Sequence, residues 1–173
     1  RDRLRGVAVG AAIGDALGMP LEFKPPVPLT RLVRAMTPGR LPAGSFTDDT
    51  AMALALADSL LEKTPLDPTN LAKHFVAWYN NRPPDVGIHT ATVLREIALG
   101  CAWQTAAAAA HQAHPHSAGN GAVMRCWPVA LAHWDNLDAL LRDSRLQSDV
   151  THAHPECLAA SAFINAAIHF LLA

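Results

Sequence analysis

Read for hydrophobic spacing, the chain predicts helices almost throughout. Leu4, Val7, Ala8, Ala11 and Ala12 fall on one side of a helical wheel, so a helix is expected from Asp2, as its cap, to about Leu17. Gly18, Pro20 and the run Pro25-Pro26-Val27-Pro28 break it, and a polar loop with Pro and Gly continues to Gly44. Residues 45–49 carry N-cap types ahead of an Ala- and Leu-rich helix that reaches about Lys63. Asp67-Pro68 pairs a cap with Pro at the first helical position, and that helix ends near Asn80, before Pro83-Pro84. Further helices are expected over residues 90–99, closed by Gly100, and 105–114, closed by Pro115. The turn Ser117-Ala118-Gly119-Asn120-Gly121 is expected to open a helix reaching about His133. Asn136 caps a helix to about Gln147, and His154-Pro155-Glu156 opens the last one.

Seven or eight helices with short connections predict an all-α fold, an orthogonal multi-helix bundle. Residues 1–173 read as one domain with no internal boundary or repeat. Composition agrees. The chain holds 33 Ala and 22 Leu against 10 Val and 5 Ile, the balance of helices rather than strands. The start lacks Met, and the last apolar pattern ends at Leu171-Leu172-Ala173 with no capping signal, so a truncated domain is expected.

Charge narrows the partners. A formal net charge of −1 excludes a generic polycation, so no nucleic acid is expected, though a local phosphate site is compatible. The 3 cysteines form no CxxC pair, which argues against a disulfide framework or structural zinc and for a reducing cytoplasm. Polar residues interrupt the apolar runs, so no membrane span is expected.

Four short segments carry candidate chemistry. In Ser45-Phe46-Thr47-Asp48-Asp49-Thr50, a hydroxyl and two carboxylates converge at a helix start. They suit either a hard divalent cation, which takes oxygen ligands, or plain helix capping. The segment Ser117 to Arg125 places two glycines around Asn120, fit either to receive a phosphate on free N–H groups or to make an ordinary turn. Asp15 sits near a helix C-terminus, where the dipole disfavours it, with Glu22 close behind. It is either an exposed acid or a residue held for function. Thr151-His152-Ala153-His154-Pro155 reads as a zinc half-site without partners, or as a helix entry in which His154 caps.

Taken in order, these segments resemble the ADP-ribosylglycohydrolase family, of the dinitrogenase reductase-activating glycohydrolase type. The segment 6–18 with Glu22 looks like its opening helix and acidic loop, and Phe46-Thr47-Asp48-Asp49-Thr50 like its metal-binding motif. Asp85-Val86-Gly87 looks like its substrate-side segment. Ser117 to Arg125 with Pro128 looks like its Gly-Asn-Gly loop, and Thr151-His152 like its later His motif. The resemblance runs from about Arg5 to Ala167. It implies an all-α hydrolase that uses two divalent cations, Mg²⁺ or Mn²⁺, to remove ADP-ribose from modified protein side chains or to cleave small ADP-ribosyl compounds. It further implies Thr47, Asp48 and Asp49 as metal ligands and Glu22 and Asp85 as catalytic carboxylates. Ser117, Gly119, Asn120, Gly121 and His152 would bind substrate, with Asp15 in support. The family's second acidic segment, Asp-x-Asp-Thr, has no counterpart here. The alternative is therefore a non-catalytic member that binds ADP-ribose or a partner.

Overall fold

A computed structural model describes residues 1–172. Among them are eight α-helices, three single 3₁₀ turns and no strand, in agreement with the all-α expectation. The helices are α1 (Asp2–Gly18), α2 (Asp48–Glu62), α3 (Pro68–Asn80), α4 (Ile88–Ala98), α5 (Trp103–Ala113), α6 (Trp127–Ala132), α7 (Leu137–Asp149) and α8 (Pro155–Leu172).

Most ends fall where the breakers put them. Asp67 accepts from the Thr69 and Asn70 N–H groups ahead of Pro68, and Asn136 accepts from Ala139 N–H. His154 caps as read: its Nδ1 accepts from Glu156 N–H at 3.1 Å. Two starts differ. Arg1, not Asp2, takes the cap position of α1, and Asp2 lies in the first turn. The loop at 117–121 does not open an α-helix. It leads into the 3₁₀ turn Asn120–Ala122, and α6 begins only at Trp127. Pro128 is the reason: a continuous helix would set its ring against the Met124 carbonyl and offer that carbonyl no N–H.

Helices α2, α3, α4 and α5 pack in succession, α7 lies along α8, and α6 touches α2, α7 and α8. The core holds Met52, Leu56, Leu60, Leu71, Phe75, Leu94, Val129 and Val150, all buried. In α5, Ala106 and Ala107 meet Val93 of α4, where small side chains let two helices approach closely. Asp143 ties three segments together. Its carboxylate accepts from Leu66 N–H, pairs with His133 Nε2 at 2.7 Å, and accepts from Arg142 Nε.

By length and composition alone, residues 2–21 and helix α8 could cross a bilayer, with mean hydropathies of 1.2 and 1.4. The expectation of no span counted polar interruptions instead. Here those polar residues serve the fold: Asn165 of α8 donates to the Cys126 carbonyl and to Ser144 Oγ.

Candidate functional site

Asp15 organises one end of the molecule. The expected side-chain cap of α2 is absent: Thr47 takes the cap position without bonding its own helix. The carboxylate of Asp15, arriving from α1, does the capping instead. It accepts from Thr47 N–H at 2.9 Å and Thr47 Oγ1 at 2.6 Å, and from Thr50 N–H at 3.1 Å and Thr50 Oγ1 at 2.6 Å. An acid misplaced for its own helix thus sits at the positive end of another. Thr47 gives its proton to Asp15, which leaves its oxygen lone pairs free on the other side.

The same helix start presents Asp48 and Asp49, both half-buried. Burial, then Asp85, pushes the Asp48 carboxyl up to about 6, against an opposing hydrogen bond from Gly87 N–H. Burial, then Asp15, Asp48, Glu22 and Asp85, pushes Asp49 up to about 7. Five acids from three parts of the chain therefore feel one another. Arg40 answers two of them: it pairs with Glu22 and, at 2.9 Å, with Asp85. Burial raises the Asp85 carboxyl from its ordinary value, and Arg40 works against that rise.

This is the oxygen-rich, negatively charged setting that a hard cation suits. Thr47, Asp48 and Asp49 could supply one edge of such a site. Among the described residues, however, no three His, Cys, Asp or Glu side chains are arranged to hold a metal ion by themselves.

A second cluster adjoins the first through α4. Asp48 meets Gly87, Gly87 lies beside Thr90, and Thr90 lies beside Gly121. The two glycines of the loop differ. A Cβ on Gly121 would stand 2.7 Å from His152 Cε1 and 2.8 Å from Nε2, whereas one on Gly119 would meet nothing closer than 3.8 Å. Gly121→Ala is expected to cost about 1–3 kcal/mol by displacing the His152 ring, and Gly119→Ala under about 0.5 kcal/mol. Urea unfolding of both variants checks this. His152 itself is buried and packs tilted against His89, with ring centroids 4.6 Å apart and 47° between the planes. Burial, then the charge of Arg125, pushes its pKa down to about 2, so the ring is neutral.

The structure thus gathers Glu22, Thr47, Asp48, Asp49 and Asp85 in one acidic cluster, and Gly119, Gly121 and His152 in the next. Ser117 and Asn120 are exposed on the loop and make no side-chain hydrogen bond among the described residues. Arg40, Thr90 and His89 were missed by the sequence reading. Arg40 sits in an irregular loop whose pattern carries no signal, Thr90 looked like an ordinary first-turn residue, and His89 lay just outside the expected helix.

The comparisons agree with one another. The family model described as ADP-ribosylglycohydrolase matches residues 1–173. The chain is 35% identical over 182 residues to ADP-ribosylarginine hydrolase Tri1 of Serratia proteamaculans, covering 99% of this chain and 48% of that one. It is 38% identical over 180 residues to ADP-ribosyl-(dinitrogen reductase) glycohydrolase of Rhodospirillum rubrum, covering 99% and 58%. Against ADP-ribosylhydrolase ARH3 of Homo sapiens it is 34% identical over 163 residues, covering 87% and 45%. A solved structure titled ADP-ribosylglycohydrolase-related protein complex superposes with a TM-score of 0.78 at 33% identity, covering 99% of this chain and 56% of that one. The chain spans about half the length of the curated relatives it matches.

Proposed function

The chain belongs to the ADP-ribosylglycohydrolase family, and from that premise we propose that it hydrolyses the bond between ADP-ribose and a modified protein side chain, or a related small ADP-ribosyl compound, with divalent cations. The observation that carries this reading is the acidic cluster at the start of α2. Asp48 and Asp49 hold their protons far above the usual range because burial and neighbouring acids oppose their charge. Such a cluster costs stability unless a cation neutralises it.

Thr47, Asp48 and Asp49 would hold Mg²⁺ or Mn²⁺. When bound, such ions can orient ribose hydroxyls and acidify a water. Glu22 and Asp85 are the proposed acid–base carboxylates for a bond whose cleavage develops positive charge at the anomeric carbon. The Arg40 pairing holds both in place. The exposed loop with Ser117, Gly119, Asn120 and Gly121, backed by His152, would receive the diphosphate and its ribose on N–H donors rather than on a basic surface. The net charge of −1 is compatible with that arrangement. A cytoplasmic location belongs to the same proposal, and its support is three unpaired cysteines.

A second reading has an observation of its own. With no complete ligand set among the described residues, the chain would bind ADP-ribose without cleaving it. Incubation with ADP-ribosylated arginine and serine peptides, with Mg²⁺, with Mn²⁺ or with chelator, separates the two. The hydrolase reading expects free ADP-ribose by mass spectrometry that chelator abolishes. Binding of ADP-ribose by calorimetry with no release under any condition selects the second reading.

A further inference from the structure

We propose that Arg125 is a positioning residue which, through Thr151, holds His152 as its Nε2–H tautomer and so turns an N–H donor towards the Gly119–Gly121 loop. The inference rests on the reading of that loop as the ADP-ribosyl site and assigns the residues that prepare it.

Arg125 is fully buried and bonds no carboxylate, and Asp48 acts on it only through space. Its guanidinium lies 4.2 Å over the Phe75 ring. Its other partners are neutral: Nε donates to Gln147 Oε1 at 3.1 Å, and Nη2 donates to the Gln147 carbonyl at 3.0 Å and to Thr151 Oγ1 at 2.8 Å. Nη1 faces Met52 Sδ at 3.7 Å. A buried charge with no carboxylate bonded to it is costly, and an apolar side chain of similar volume would fill this space more cheaply. Arg125 is therefore a residue whose presence asks for a use.

The use follows from donor arithmetic. A guanidinium only donates, so Thr151 Oγ1 accepts from it. Thr151 Oγ1 also lies 2.8 Å from His152 Nδ1, and Thr151 is fully buried. If Nδ1 carried the proton, the hydroxyl would accept twice and its own hydrogen would be stranded in the interior. With Thr151 donating to Nδ1, the hydroxyl hydrogen and Nδ1 are both paired and the ring proton sits on Nε2, where it has no protein acceptor among the described residues. That edge of the ring is the one against Gly121 and Gly119. The frame around it is braced. Ser148 bonds the His152 main chain on both sides, His89 Nε2 donates to the Thr151 carbonyl at 2.8 Å, and Gln147 Nε2 donates to the Ala122 carbonyl beside the loop. Burial keeps the ring neutral and the charge of Arg125 reinforces this, so what the contact through Thr151 adds is the choice of tautomer.

The test is a ¹⁵N-histidine spectrum of the whole chain correlating ring nitrogens with ring protons, in which the His152 signals are identified by their loss in His152→Gln. Wild type is expected to show a protonated Nε2 and a bare Nδ1. Thr151→Val, which keeps the shape and removes the hydroxyl, is expected to mix or invert the tautomers, and Thr151→Ser to restore them. ADP-ribose affinity by calorimetry is expected to fall about tenfold in Thr151→Val, the scale of one lost hydrogen bond, and to recover in Thr151→Ser. A protonated Nδ1 in wild type, or an unchanged spectrum in Thr151→Val, overturns the relay. A changed tautomer with unchanged affinity overturns its purpose. Failure of wild type to bind ADP-ribose overturns the reading of the loop, and the ligand-free spectra still decide the tautomer separately.

Discussion

Asp15→Ala is expected to lower folding stability by about 3 kcal/mol, the cost of leaving buried donors without an acceptor. For a chain of this length that is a fall of roughly 6–12 °C in Tm. The four donors come from Thr47 and Thr50, which are 2% and 5% exposed, so water reaches them poorly once the carboxylate is gone. The sign is as informative as the size. Were Asp15 an exposed acid at the end of α1, its removal would relieve the helix dipole and raise stability by about 0.5 kcal/mol. Thermal unfolding of the two proteins side by side separates these outcomes. Thr50→Val in the Asp15→Ala background should then cost little, because the two residues share the same bonds.

Asp49→Asn is expected to move stability and activity in opposite directions. In the folded chain, burial and then Asp15, Asp48, Glu22 and Asp85 raise this carboxyl from an ordinary 3.8 to about 7. The folded state thus holds a proton that the unfolded chain has released. Stability must then fall as pH rises from about 4 to about 7, and stay low above it. Asn carries no charge, so the variant should melt at a higher temperature than wild type at pH 8 and show a flatter pH profile. Asp48, pushed up to about 6, adds to the same slope. If the acids served only as first-turn caps, Asn would instead cost up to about 1 kcal/mol at neutral pH. Release of ADP-ribose, where wild type supports it, should fall by about 10² or more, as when a preorganised electrostatic contact is removed from a catalytic site. Mg²⁺ or Mn²⁺ should raise the melting temperature of wild type and not of the variant. A variant less stable at pH 8 with normal turnover would return Asp49 to a capping role.

These predictions turn on residues of unequal legibility. The helix α3 could be read almost whole, because Asp67, Pro68 and the closing prolines act within a few residues of themselves. The start of α6 carried an equally local signal in Pro128, yet the expected helix ran through it from the 117–121 turn. The acids of the candidate site were legible by type and order, since motifs survive in a linear reading. Arg40 was not, for it sits in an irregular loop and its meaning depends on Glu22 and Asp85.

The sequence by itself determined that this protein is helical, where most of its helices begin and end, and which family it resembles. Propensity, capping and chain breaking operate over one or two turns, so they are written in neighbouring residues. Only the tertiary structure decided which acid caps α2, which glycine of the 119–121 loop has no room for a side chain, and which groups surround His152. Asp15 meets Thr47 across 32 positions, and Arg40 meets Asp85 across 45. Contacts of that span are set by how the helices pack, and helix packing responds to the shape of a whole face rather than to any one residue on it.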